Sequence, residues 1–102
     1  MLRFIEVINN TDFHPRLERT AKVHFSLGEV WINEKFVVSM RSAPGYQRVL
    51  KEGRIAGDLH DDHEFTAVTT NNGNITEVHV VVGDLAAVAR RVNKDQRTLL
   101  KG

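Results

Sequence analysis

Phe65-Thr66-Ala67-Val68-Thr69-Thr70-Asn71-Asn72-Gly73-Asn74-Ile75-Thr76-Glu77-Val78-His79-Val80-Val81-Val82 is the stretch on which the fold turns. Its first six residues are rich in β-branched and aromatic side chains and read as a strand. Asn71 to Asn74 then interrupt it with the residues that best tolerate a tight reversal, so residues 75–82 read as the returning strand of a hairpin. The unbroken Val80-Val81-Val82 predicts burial on both faces of the sheet. Directly after it, Asp84 can cap a helix whose apolar stripe is Leu85, Val88, Ala89 and Val92. Arg90 and Arg91 fall near the expected end of that helix, where positive charge suits the helix dipole. Asn93 reads as the helix end, and residues 94–102 as a tail.

Working back toward the start, residues 2–8 alternate well enough for a strand, and residues 9–12 punctuate it ahead of Pro15. Residues 21–27 place Ala21, Val23, Phe25 and Leu27 opposite Lys22, His24 and Ser26, a half-buried strand pattern. Gly28 is expected to turn the chain before the short β-prone run Val30-Trp31-Ile32. Asn33-Glu34-Lys35 is a polar corner, and residues 36–40 return to strand composition until Arg41-Ser42-Ala43-Pro44-Gly45 ends it. Tyr46, Val49 and Leu50 sit at helical spacing, with Gly53 as a stop. Residues 43–63 thus read as an inserted excursion, a flap or interface arm. The expectation is one α+β domain over residues 1–102: a small antiparallel β-sheet of about five strands, with a C-terminal helix packed on one face.

Composition narrows the class of function. The chain has 102 residues, 41% of them hydrophobic and 26% charged, with a net charge of +1. That suits a globular domain and gives no field to drive nucleic-acid binding, so nucleic acid is not an expected partner. There is no cysteine, so disulfides and thiolate metal sites are excluded. No apolar run is long enough for a membrane span, and Arg3 and Glu6 break the N-terminal segment too early for a signal peptide; a cytoplasmic protein without membrane attachment is expected. A domain this small buries a modest share of its surface, which favours a homo-oligomer.

Catalytic patterns are missing. The serines are Ser26, Ser39 and Ser42, none within a G-x-S-x-G elbow, and the glycines form no phosphate loop, so no enzyme and no cofactor are expected. His60-Asp61-Asp62-His63 offers metal-type ligands, yet the two histidines converge only on a helix, and no third distant ligand is specified. A solvated loop is the preferred reading. Nine of the fourteen basic residues are arginine, the side chain that holds phosphates bidentately and stacks on rings. Arg90 and Arg91 are about 100° apart on a helix, so at least one must leave the core stripe. Arg91, three residues after Val88, is the better candidate to border it. With Arg90, Arg41, the Asn74 amide and an aromatic such as Phe65, it makes the expected ligand-binding set. Trp31, Phe36 and Tyr46 read first as core or interface residues.

Several segments carry a family resemblance: Phe4-Ile5-Glu6-Val7, then Val30-x-Ile32-Asn33-x-x-x-Val37-Val38-Ser39-Met40, Val68-Thr69-Thr70-x-x-Gly73 and Leu85-x-x-Val88-x-x-x-Val92. In this order they resemble short bacterial and phage proteins related to the flagellar protein FlbD. The chain has Gly83 where that family usually places a glutamate before its helix, and it adds residues 43–63. By pattern it is also similar to viral sponges of the Thoeris anti-defence type. That second resemblance implies an oligomer that sequesters a cyclic ADP-ribose-like or cyclic nucleotide signal without degrading it. The first implies an accessory or regulatory protein acting through protein contacts.

Overall fold

The computed structural model describes residues 1–9, 25–57, 59 and 62–101, with the side chains beyond residue 94 left aside. Five strands, β1 (Leu2–Asn9), β2 (Phe25–Ile32), β3 (Val37–Ser42), β4 (Phe65–Asn71) and β5 (Thr76–Val82), form one open antiparallel sheet in the order β2-β1-β5-β4-β3. Two helices accompany them, α1 (Pro44–Lys51) between β3 and β4, and α2 (Leu85–Lys101) after β5. The α+β architecture expected from the sequence is the one observed. Residues 21–24, half of the alternating run expected to form the second strand, lie outside the described residues.

The link between β2 and β3 shapes the sheet. These strands occupy opposite edges, yet only residues 33–36 join them, most of them in a 3₁₀ turn (Glu34–Phe36) that Asn33 caps by accepting the Lys35 N–H at 3.0 Å. A flat five-strand sheet would separate its edges by roughly 19 Å, about the reach of five fully extended peptide units. A 3₁₀ turn rises only about 2 Å per residue. The sheet therefore curls, bringing both edges round a shared apolar core of Phe4, Ile32, Val68 and Val81.

Helix α2 packs on that concave side through Val88 and Val92, 2% and 1% exposed. Two local devices aim it. Gly83 sits at φ +133°, a conformation closed to most side chains, and turns the chain out of β5. Asp84 then accepts the Ala87 N–H at 2.7 Å, which satisfies one of the donors a helix start leaves open. The buried Thr66 hydroxyl donates to the Gly83 carbonyl at 2.9 Å and ties the corner to β4. Leu85, at the first turn, remains 37% exposed, so the buried stripe begins a turn later than its sequence position suggests.

Three expectations are corrected. Gly28 does not turn the chain; β2 runs through it from Phe25 to Ile32, and the Ile8 side chain of β1 lies across the place a Cβ would occupy. The helix does not end at Asn93 but continues to Lys101, which puts Arg90 and Arg91 in its middle, beyond reach of the C-terminal dipole charge. Residues 43–57 are no projecting arm. Leu50 and Ile55 are buried with Phe65 on the second face of the sheet, flanked by Val80 and Val82. Phe25 also donates its N–H to the Arg54 carbonyl at 3.1 Å and accepts from Ala56 at 2.9 Å, a short parallel bridge around Ile55. Both faces are therefore covered around the triple valine, as it foretold: Val81 turns inward under α2, and the half-buried Val80 and Val82 lie under the α1 segment, while Val78 on the same face stays 61% exposed.

Candidate functional site

Strands β1 and β5 meet through a single described pairing, Glu6 with Val81. Below it they part, and a cleft of about 300 Å³ opens, lined by Arg3, Phe4, Ile5, Val82 and Arg91. Arg91 reaches across from α2. Its guanidinium lies 4.2 Å over the Phe4 ring, and one of its N–H groups donates to the Arg3 carbonyl at 2.7 Å. Both contacts orient the group without neutralising it, since neither partner is an anion. The Arg3 side chain, next to Phe4 in the strand, points to the opposite face and meets Glu29 of β2 at 3.3 Å, an exposed pair. One oriented guanidinium, that of Arg91, thus stands at a cleft with an apolar floor.

Of the residues expected to bind a ligand, only Arg91 belongs to this cleft. Arg90 is exposed on α2 one position earlier, and Arg41 is exposed on β3, paired in register with Ala67. Asn74 is exposed in the hairpin turn, at the other end of β5 from Gly83, roughly 20 Å along a seven-residue strand. The turn is held by its own amides: Asn71 Oδ1 accepts from Gly73 at 2.7 Å, and Asn72 Oδ1 accepts from Ile75 at 3.0 Å. Phe65 is 2% exposed and packs against Tyr46, ring centroids 6.2 Å apart, so its faces are committed to the second core. His60 lies outside the described residues, and the proposed His60–His63 pair with it. Among the described residues no group of three or more histidine, aspartate and glutamate side chains is placed to hold a metal ion.

A second cleft, of about 380 Å³, was not anticipated. It lies where the end of β2 and the 3₁₀ turn face the β4–β5 hairpin, and Trp31, Phe36, Ile75, Glu77 and His79 line it. Trp31, Phe36 and Ile75 are 56%, 44% and 56% exposed, large apolar surfaces left in solvent. The Trp31 indole N–H donates to Glu29 Oε1 at 2.8 Å, which fixes the ring. His79 stands between carboxylates, Nδ1 2.9 Å from Glu6 and Nε2 3.2 Å from Glu77. At the rim, Glu34 is buried and meets the α-ammonium of Met1 at 3.1 Å. Its carboxyl is held below the ordinary range, first by a hydrogen bond from its own backbone and then by the ammonium.

Comparison with known proteins adds no family: no family model, curated protein or solved structure matches the chain. Among the described residues, no helix is long and apolar enough to cross a membrane.

Proposed function

We propose that this chain is a non-catalytic cytoplasmic binding protein whose ligand is a small nucleotide-derived anion, held in the cleft between β1, β5 and α2. The observation that carries the reading is the Arg91 guanidinium at an apolar-floored cleft, already oriented by the Phe4 ring and the Arg3 carbonyl and without a carboxylate partner among these contacts. An oriented guanidinium suits a phosphate oxygen pair, and the half-buried Ile5 and Val82 suit the flat apolar face of a base. A cyclic ADP-ribose-like or cyclic nucleotide signal combines both features. The protein then acts by sequestration, as a homo-oligomer with the cleft near a subunit boundary. Light scattering checks the assembly: a mass of 11.6 kDa at every concentration rules it out.

Calorimetry against a panel of cyclic nucleotides and ADP-ribose-type compounds tests the ligand. Arg91→Ala is expected to weaken binding by about 1.5–3 kcal/mol, the scale of a charged hydrogen bond, while Arg90→Ala leaves it unchanged. Arg3→Ala should change it far less, because the Arg3 side chain faces Glu29 and the Arg91 hydrogen bond ends on the Arg3 backbone. If no compound binds the wild-type protein at micromolar concentration, the reading fails. A second reading, an accessory protein acting through protein contacts, is favoured by the exposure of Trp31, Phe36 and Ile75 around the other cleft.

A further inference from the structure

The two edges of the sheet are built differently. On one side, β3 breaks register between Val37 and Ser39, packs against α2 and runs on into Pro44, features that blunt a strand edge. On the other, β2 pairs with β1 through eight successive residues without a bulge and contains no proline. Its phase is set at Phe25, whose N–H and carbonyl both turn away from β1 to meet Arg54 and Ala56. Residues of the same parity turn the same way, so the backbone groups of Glu29 and Trp31 also point outward. Among the described residues no main-chain group meets them. Their side chains lie exposed beside Arg3 on the sheet's second face, outside the apolar cluster under α1.

We propose that β2 pairs antiparallel with β2 of a second copy of this chain, about a two-fold axis through Val30, so that two sheets join into one. The proposal rests on the homo-oligomer reading above, to which it gives an interface, and is independent of the ligand. Charge and register select a second copy. An axis at Glu29 sets two carboxylates directly opposite each other, a repulsive pair. An axis at Trp31 sets Glu29 against Asn33, where the chain is already entering the 3₁₀ turn. An axis at Val30 sets Glu29 opposite the partner's Trp31, and the symmetric pair repeats it. Every outward N–H and carbonyl of these two residues then has a partner. The indole N–H and the carboxylate already bond within one chain at 2.8 Å, so they suit each other as cross-strand neighbours. Arg3, in register with Trp31 on β1, supplies one positive charge for each glutamate, and the joined face is neutral.

The chain has no cysteine, so a single introduced one reports cleanly. On the axis, Val30 meets its own copy in a non-hydrogen-bonded pair with Cα atoms about 4.5 Å apart, within disulfide range. Val30→Cys is therefore expected to give a disulfide-linked dimer on mild oxidation, and Val38→Cys, exposed on the β3 edge, to stay unlinked. Glu29→Pro removes an N–H that β1 does not use, and Gly28 before it has no Cβ to clash with the proline ring, so circular dichroism should show the fold intact. By light scattering it should weaken the dimer about tenfold or more, since two hydrogen bonds between the copies are lost. Emission from Trp31, the single tryptophan, should shift over the concentration range in which the wild type assembles. A wild-type mass of 11.6 kDa throughout overturns both this interface and the oligomer. An oligomer that folded Glu29→Pro leaves unchanged, or that links through Val38→Cys instead, overturns the β2 pairing alone. If Glu29→Pro does not fold, the cysteine variants decide: no link through Val30→Cys in an assembling protein overturns the proposal.

Discussion

Glu34 shows what one residue can contribute from a covered position. Its carboxylate is fixed by its own backbone and by the Met1 ammonium, and these contacts lower its pKa in the folded chain. A group with a lowered native pKa adds stability that is complete above the unfolded-state value and is lost as pH falls through the native one. Urea unfolding of wild type and Glu34→Gln should therefore differ most near neutral pH and converge in acid, once pH has fallen through the lowered native value. A gap that stays constant into acid would mean the charge is not its source. Site residues were legible in the sequence only in part. That Arg91 would border the buried stripe is a matter of periodicity, given its position three residues after Val88. That it would meet Phe4 and the Arg3 carbonyl of β1 was not readable, because β1 lies far from it in sequence. The Trp31 cleft was hidden for another reason: an aromatic residue in a strand reads first as core, and its pattern does not reveal which strand becomes an edge.

At the scale of elements, the β4–β5 hairpin and the start of α2 were readable almost to the residue, since alternation, hairpin chemistry and capping all agree there. The cap is testable. Asp84→Ala should cost about 1 kcal/mol, within a range of roughly 0.5–2, and lower the melting temperature by several degrees. An unchanged melt would mean that the packing of Val88 and Val92 alone sets the helix. Where local signals disagreed with the tertiary structure, packing prevailed. Gly28 is a breaker by propensity, yet β1 holds it in β2 through seven neighbouring register pairs and an Ile8 side chain that needs its missing Cβ. Asn93 disfavours a helix by well under 1 kcal/mol, too little to stop one whose preceding turn carries the buried Val92. Tyr46, Val49 and Leu50 announced α1 by their spacing, but spacing is silent on which surface a short helix will cover. That surface proved to be the protein's own sheet.

For the whole molecule, the covered second face means that residues 43–57 belong to the stable core. Leu50→Ala and Ile55→Ala should each cost about 2–5 kcal/mol, a large part of the roughly 5–15 kcal/mol that holds a domain together. Urea denaturation at low concentration measures this, and a loss below about 0.5 kcal/mol would return the segment to the status of a detachable arm. The seam between β1 and β5 has a consequence in time. Its paired residues, Glu6 and Val81, stand about 75 positions apart along the chain, whereas the β4–β5 hairpin closes over a four-residue turn. Closing so long a loop costs entropy before any contact across it is gained, so the hairpin can form early while the middle of the sheet must wait. Until β5 arrives, β1 has one edge bare in the interior of the future sheet. The protein is therefore most exposed to mispairing with other chains at its centre, during folding, and least so once the two halves have met.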